Sequence, residues 1–238
     1  MNIKAVLFDL DGTLLPMDQD EFVKTYFGYL AKFLAPHGYE PEKLIDAIWK
    51  GTAAMIRNTG EMTNEQAFWK TFCGIFGEDA AKDEPLFEGF YKTVFDKVQK
   101  VCGFTPEAAR TVCRLKSQGL RVALATNPIF PAIATEKRIR WAGLEPKDFE
   151  HITTYENCRY SKPNTAYYED ILHILGLKAQ ECLMVGNDVS DDMVVQAIGM
   201  DVFLLTDCLI NKEQKSLDNY PHGSFQQLLQ YIEERQKA

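Results

Sequence analysis

The chain has 238 residues, of which 46% are hydrophobic and 12% aromatic, and its formal net charge is −8. This length and apolar content allow one large globular domain or two modest ones. The negative charge and the lack of any Lys/Arg run argue against a nucleic-acid-binding surface. No segment approaches the ~20 apolar residues that span a bilayer, and the first apolar run is too short for a secretory signal. Six scattered cysteines fit neither a disulfide framework nor a zinc site, so we expect a cytoplasmic protein.

The first predicted element is a short buried strand over residues 3–8, which runs directly into two aspartates, Asp9 and Asp11. From about residue 18 to residue 102 the pattern changes to helices, with apolar residues at intervals of three and four. The four predicted helices cover residues 21–38, 41–60, 64–77 and 84–100. Four consecutive helices without a strand indicate a small helical bundle inserted as its own subdomain.

From Thr105 onward, predicted strands and helices alternate. In chain order they are a helix over 105–119, a strand over 121–126, a helix ending near 143, a short strand near 151–153, a helix over 164–175, a strand over 182–186, a helix over 189–198, a strand over 201–206 and a helix over 224–236. This alternation is typical of a parallel sheet covered by helices on both faces. We therefore predict a Rossmann-like α/β core from residues 1–17 and 103–238, with residues 18–102 as the all-α cap.

Polar side chains follow three of the predicted strands at the same edge of the sheet. Asp9 and Asp11 follow the first strand, Thr126 and Asn127 the second, and Asp188 the strand at 182–186. Sites in parallel sheets form beyond the carboxyl ends of the strands, so we expect these groups to meet. Two carboxylates 4 Å apart repel by about 4 kcal/mol at an effective dielectric near 20. A divalent cation would remove the conflict, and a set of oxygen ligands favours Mg²⁺.

A magnesium ion held by few carboxylates keeps open positions that phosphate oxygens commonly fill. Thr126 offers a hydroxyl and the backbone N–H groups near Asn127 can donate to an oxyanion, while Lys162 supplies a positive charge just before a helix. One carboxylate could then attack phosphorus while another moves protons. The residues therefore indicate a phosphate-binding enzyme site.

Four segments, in order, resemble the motifs of the haloacid dehalogenase-like (HAD) hydrolase superfamily: FDLDGTL at 8–14, Thr126, Lys162 within SKPN, and GNDVSDD at 186–192. The helical insert resembles the C1-type cap of that superfamily. The resemblance implies that Asp9 is the nucleophile that forms an aspartyl-phosphate and that Asp11 is the general acid/base. It also implies that Thr126 binds the phosphoryl group and that Lys162 steadies the nucleophile and the phosphate.

The resemblance further implies that Asp188 completes a Mg²⁺ site with Asp9 and the backbone carbonyl of Asp11, and that Asp192 is an auxiliary acid. The family usually has Gly-Asp where this chain has Gly186-Asn187-Asp188, so the metal ligand could shift by one residue. We favour Asp188 with Asp192, because these two acids have the usual spacing of four. Asp191 is the less favoured second acid, and acids in this segment could also simply favour a helix N-terminus.

Because it has Asp11, the chain resembles the phosphatases and phosphomutases of the superfamily rather than its metal-independent dehalogenases. We expect a Mg²⁺-dependent phosphatase that hydrolyses a small phosphomonoester metabolite. The alternatives are a phosphomutase similar to β-phosphoglucomutase and a non-catalytic binding module.

Substrate choice is expected to lie in the cap, where a lid contacts the leaving group and excludes water. Lys50 and Arg57, near the middle of the insert, could contact an anionic or hydroxylated substrate, although solvated surface charge explains them equally well. The expected partner is a small phosphorylated metabolite rather than a nucleic acid or a membrane. We expect a monomer, with a homodimer as the alternative.

Overall fold

The computed structural model describes residues 3–237. Its core is a five-stranded sheet in the order β2-β1-β3-β4-β5, and every neighbouring pair is parallel. The strands are β1 (Ala5–Phe8), β2 (Arg121–Leu124), β3 (Cys182–Gly186), β4 (Asp201–Leu205) and β5 (His222–Gly223). The two central strands, β1 and β3, are wholly buried, as expected of apolar strands covered on both faces.

The α-helices of the described chain are α1 (Gln19–Leu34), α2 (Pro41–Ile56), α3 (Asn64–Phe76), α4 (Glu84–Thr93), α5 (Pro106–Ser117), α6 (Ala132–Trp141), α7 (Thr165–Leu175) and α8 (Phe225–Lys237). Side chains alternate between the faces of β1, because successive strand residues point in opposite directions. Val6 and Phe8 belong to the apolar cluster with α5, α6 and α8, whereas Ala5 and Leu7 belong to the cluster with α7. No helix within residues 3–237 is long and apolar enough to cross a membrane.

The structure confirms the predicted fold class, an α/β core with an inserted all-α cap. The cap helices α1 to α4 all lie between β1 and α5. At the junction, Met17 forms an antiparallel bridge with Cys102, and the Gly103 N–H donates to the Pro16 carbonyl at 2.7 Å. The two chain segments that join the cap to the core therefore run side by side. The exact boundaries at 17/18 and 102/103 remain a prediction.

Three predicted elements differ from the structure. The helix predicted over 84–100 ends at Thr93 and continues as a 3-10 helix over Phe95–Val101. The strand predicted near 151–153 is a single bridge between Ile152 and Leu124, while the sheet gains the two-residue β5 that the sequence pattern did not indicate.

The helix predicted over 189–198 was wrong at its start, because the 3-10 helix there covers only Met193–Ile198. Asp188 Oδ1 accepts from the N–H groups of Ser190 and Asp191, at 2.7 and 3.0 Å. These carboxylate contacts satisfy the backbone donors that an N-terminal helical turn would otherwise leave to its cap. The segment therefore forms a side-chain-bonded turn before the 3-10 helix.

Aromatic side chains hold the cap together and join it to the core. Phe95 is fully buried, and its ring centroid lies 6.4 Å from that of Phe22, 6.2 Å from that of Phe90 and 5.1 Å from that of Trp141 on α6. Aromatic pairs at such distances stabilise a core beyond the area that they bury. Phe95 thus packs against both the cap helices and the core.

We predict that Phe95→Ala lowers the free energy of unfolding by about 3–5 kcal/mol, because it removes a buried ring and leaves a cavity. Urea unfolding followed by circular dichroism measures this loss. Phe104→Ala is the matched control, since Phe104 is 64% exposed, and its loss should stay below about 1 kcal/mol. Equal losses in the two variants would show that Phe95 does not hold cap and core together.

Candidate active site

A cavity of about 380 Å³ opens at the carboxyl ends of β1, β2 and β3. All of the core residues predicted for the site line it: Asp9, Asp11, Thr126, Asn127, Lys162, Asp188 and Asp192. They converge because parallel strands present their carboxyl ends at one edge of the sheet. The sequence motifs, which are far apart along the chain, therefore meet in one place.

The Lys162 ammonium group links two aspartates of this cavity. Its Nζ donates to Asp9 Oδ1 at 2.8 Å and to Asp192 Oδ1 at 2.6 Å, and the residue is only 2% exposed. Burial alone would lower the pKa of Lys162, but the carboxylates of Asp192 and Asp9 outweigh it and hold the pKa well above its usual value. Lys162 therefore remains an ammonium ion that fixes the position of Asp9.

Asp9 is buried directly after β1. Its second oxygen, Oδ2, lies 3.2 Å from Thr13 Oγ1, which is also 2.9 Å from Asn187 Oδ1. Burial raises the pKa of Asp9 to about 7, with further increases from Asp192 and Asp11 that the Lys162 charge only partly opposes. The lining of the cavity also holds more acidic residues than lysines, six against Lys162 and Lys212.

The loop after β3 places a second set of carboxylates. Asp192 Oδ2 accepts from the backbone N–H groups of Asn187 and Asp188, at 3.1 and 3.0 Å. A Cβ on Gly186 would lie 2.0 Å from Asp192 Oδ2, so only glycine permits this approach. Of the two neighbouring acids, Asp192 contacts Lys162, whereas burial, followed by the charge of Asp188, raises the pKa of Asp191 to about 6.

Asn187 and Asp188 differ in how their side chains are used. Asn187 Nδ2 donates to the Cys208 carbonyl at 2.7 Å and its Oδ1 accepts from Thr13, so both ends of the amide are engaged. Asp188 uses Oδ1 for its backbone contacts, and Oδ2 accepts no hydrogen bond within residues 3–237. Asp188 therefore keeps an oxygen available at the cavity.

Thr126 and Asn127 follow β2 and line the cavity. The Thr126 carbonyl accepts from Thr153 Oγ1 and from the Tyr167 hydroxyl, both at 2.8 Å, so the strand end is held firmly. Its side chain lines the cavity, and Asn127 Oδ1 is buried without a hydrogen-bond partner among the described residues. Both residues line the same cavity as Asp9 and Asp11.

Asp11 forms an ion pair with an arginine that the sequence motifs did not indicate. Arg138 on α6 is fully buried, and its Nη1 donates to Asp11 Oδ2, while its guanidinium lies 4.4 Å from the centre of the Phe130 ring. Asp11 Oδ1 is buried and has no hydrogen-bond partner within residues 3–237. Arg138 thus holds one oxygen of Asp11, whereas the other oxygen has no partner in the described part of the chain.

Known proteins resemble this chain in sequence and in fold. A family model described as haloacid dehalogenase-like hydrolase matches residues 3–199. The chain belongs to this family. Pyrophosphatase PpaX from Bacillus cereus (strain AH820) is 27% identical to this hydrolase over 191 residues, which cover 80% of this chain and 77% of that protein.

Solved structures with low sequence identity share the fold of this hydrolase. A HAD phosphatase from Thermococcus onnurineus has a TM-score of 0.59 and 18% identity, and covers 97% of this chain and 98% of its own. A 2-haloacid dehalogenase from Pseudomonas syringae pv. Tomato DC3000 has a TM-score of 0.63 and 19% identity, and covers 98% and 99% of the two chains. These likenesses confirm the expected family fold.

The two cap residues predicted to contact substrate do not line the catalytic cavity of this hydrolase. Lys50 lies on α2 and forms an exposed ion pair with Asp46 at 2.7 Å, one helical turn away. Arg57 caps the end of α2 and is exposed. Both are therefore exposed to solvent, and the cap side of the cavity is formed instead by Gln19, Phe22 and Val23 of α1.

Sequence reasoning missed Thr13, Arg138 and Asn187. Arg138 had a recognisable pattern, because it falls three and four residues after the buried Thr135 and Ala134, on the inward face of α6. A charged residue at an inward helical position is almost never fully buried without a partner. The sequence could have indicated a buried arginine, but not that its partner is Asp11.

We predict that the charge of Asp9 makes stability depend on pH when EDTA is present. The pKa of Asp9 rises from its usual 3.8 to about 7 in the folded chain, so the folded state binds this proton more tightly. Below about pH 4 this proton makes its full contribution to the free energy of unfolding. That contribution is lost as the pH rises to about 7, by at most about 1.4 kcal/mol per pH unit.

Asp9→Asn should remove this loss, as measured by urea unfolding at several pH values. The interval from pH 6 to 7 is the most informative, because Asp191, with a pKa of about 6, contributes mainly below it. Identical pH profiles for the wild type and Asp9→Asn would contradict the raised pKa.

We also predict that replacing Asp11 lowers the free energy of unfolding more than replacing its partner Arg138 does. Asp11→Asn leaves a guanidinium with 1% exposure without its counter-ion, and should cost about 3–5 kcal/mol of unfolding free energy. Arg138→Met keeps the apolar volume and leaves an aspartate whose side chain is 21% exposed, so it should cost only about 1–3 kcal/mol. Urea unfolding compares them at one pH, and a larger loss in Arg138→Met would disprove the asymmetry.

Proposed function

We propose that this hydrolase is a Mg²⁺-dependent phosphatase that cleaves a small phosphomonoester metabolite through an aspartyl-phosphate on Asp9. The observation that carries the proposal is the position of Asp9, which is fixed by Lys162 at 2.8 Å and stands beside a second acid, Asp11. A nucleophilic carboxylate and a neighbouring proton carrier are the two groups that covalent phosphoryl transfer requires. The relative named pyrophosphatase and the phosphatase fold neighbour support the same chemistry.

The phosphoryl group would bind between Lys162 and Thr126. In the first step, an oxygen of Asp9 forms a bond to phosphorus and the ester bond to the leaving group breaks. Asp11 gives its proton to the departing alkoxide through Oδ1, because Arg138 holds Oδ2. In the second step, Asp11 takes a proton from water, which attacks phosphorus and releases inorganic phosphate and Asp9.

The donor atoms of the site fit magnesium. The proposed ligands are the carboxylates of Asp9 and Asp188 and the backbone carbonyl of Asp11, and Asp188 Oδ2 accepts no hydrogen bond among the described residues. Residues 3–237 contain no cluster of three or more His, Cys, Asp or Glu side chains suited to a metal, but this set needs only two such side chains. Oxygen donors alone favour Mg²⁺ over Zn²⁺. When bound, Mg²⁺ would offset the negative charge of the aspartates and of the phosphate.

The cap belongs to the same proposal. We take residues 1–17 and 103–238 as the catalytic core and residues 18–102 as the cap. The α1 side chains Phe22 and Val23 reach the catalytic cavity. A cap in this position would contact the leaving group and exclude water from the phosphoenzyme.

We predict that Asp9→Asn lowers kcat for p-nitrophenyl phosphate with Mg²⁺ by more than about 10³-fold, because the nucleophile is lost. Asp170→Asn is the matched control, since Asp170 pairs with Arg159 at 2.8 Å and does not line the catalytic cavity. It should retain nearly full activity. Substantial Mg²⁺-dependent activity in Asp9→Asn would refute the assignment of the nucleophile.

Asp11→Asn separates the two steps in the same assay. Nitrophenolate leaves without a proton, so this variant should still transfer phosphoryl to Asp9 but should not hydrolyse the intermediate. A burst of nitrophenolate and a phosphorylated Asp9 peptide in mass spectrometry are the expected results. Transfer of the phosphoryl group to a sugar hydroxyl instead of water by the wild type would favour a phosphomutase.

A further inference from the structure

An apolar cavity of about 90 Å³ lies next to the catalytic cavity, on its cap side. Val23, Ile129 and Phe130 line both cavities. The rest of the wall is mainly aromatic and includes Phe27, Trp49 and Phe68 from three cap helices. A molecule bound at the catalytic cavity could therefore extend past the three shared residues into this apolar space.

The wall of the apolar cavity is uncharged and mainly apolar. Among residues 3–237, no Lys, Arg, Asp or Glu side chain lines it. Two of its tyrosine hydroxyls, those of Tyr26 and Tyr91, are 2.8 Å apart and bond to each other. The other polar atoms of the wall include the Thr52 and Tyr155 hydroxyls and Trp69 Nε1, which is buried without a hydrogen-bond partner among the described residues. A charged group in the cavity would therefore lose its hydration without a counter-ion, whereas an apolar group would gain from leaving water.

The wall that the two cavities share contacts a side chain that is paired with Asp11. Arg138, which pairs with Asp11, lies against the Phe130 ring at 4.4 Å. On the opposite side, α2 approaches α3 so closely that a Cβ on Gly51 would lie 2.5 Å from the Phe68 ring. Side chains therefore pack closely against both walls of the cavity.

We propose that the leaving group of the substrate ends in a small apolar chain that binds in this cavity while its phosphate binds at Asp9 and Lys162. This inference rests on the proposed phosphatase function. Since an apolar cavity of about 150 Å³ admits a benzene ring, one of 90 Å³ suits about three or four carbon atoms. The substrate class is thus an alkyl monophosphate without a charged group at its far end.

Binding of a homologous series tests the apolar cavity independently of turnover. The probes are straight-chain alkyl phosphonates from ethyl to octyl, which cannot be hydrolysed, titrated by calorimetry with Mg²⁺ present. Each methylene that enters the cavity should tighten Kd about fourfold, equivalent to about 0.8 kcal/mol. The affinity should then stop increasing once about three or four carbons are buried. The matching alkyl phosphates should show the same trend in kcat/KM.

A cavity-filling variant locates the binding of the chain. Thr52 on α2 lines the apolar cavity and not the catalytic one, so Thr52→Leu should end the rise in affinity about one or two carbons earlier. Thr93→Leu is the matched control, because Thr93 is exposed on α4 and its hydroxyl donates to the Gly89 carbonyl. The control should reproduce the wild-type series.

The outcomes distinguish this inference from the proposed function. Affinity that is independent of chain length, or a series unchanged by Thr52→Leu, would overturn the apolar leaving-group site. Affinity that increases with chain length while no alkyl phosphate is hydrolysed would support the site and reject the phosphatase activity. Hydrolysis without any dependence on chain length would reject the site alone.

Discussion

The catalytic cavity depends on one buried ammonium group. Lys162 is 2% exposed and would be strongly destabilising there without partners, but its Nζ contacts Asp9 after β1 and Asp192 after β3. The same contacts hold these two buried carboxylates in place. The lysine therefore connects three separate segments of the chain at one edge of the sheet, and the position of Asp9 follows from that connection.

Lys162 does not neutralise the cavity. Asp188 and Asp191 add further negative charge, and the pKa of Asp9 rises to about 7 because burial and the other aspartates outweigh the lysine. An anionic phosphate would be repelled by such a surface. This excess of negative charge is the physical reason for including Mg²⁺ in the proposed function, since a divalent ion offsets both the carboxylates and the ligand.

The cavity is polar on the side of the sheet and, apart from Gln19, apolar on the side of the cap. The segments after the strands provide carboxylates and a threonine, and the loop before α7 provides Lys162. Val23, Ile129 and Phe130 lead into an aromatic wall. Sites of this kind commonly use a few polar groups for orientation and an apolar surface for affinity. The contact between Arg138 and Phe130 joins the two sides, because the same arginine also fixes Asp11.

The sequence by itself determined the features that depend on residues close together along the chain. Periodicity predicted the parallel sheet and the helical cap, and the residues that follow the strands predicted which side chains meet at Asp9. Sequence did not predict the turn at 188–192, where carboxylates bond the backbone donors, or the two-residue β5. Only the tertiary structure decided that Arg138 pairs with Asp11, which lies 127 residues away, and that the cap turns aromatic rings rather than Lys50 and Arg57 toward the site. The reason is that periodicity records which side of an element is buried, whereas the partner of a buried side chain depends on how distant elements pack.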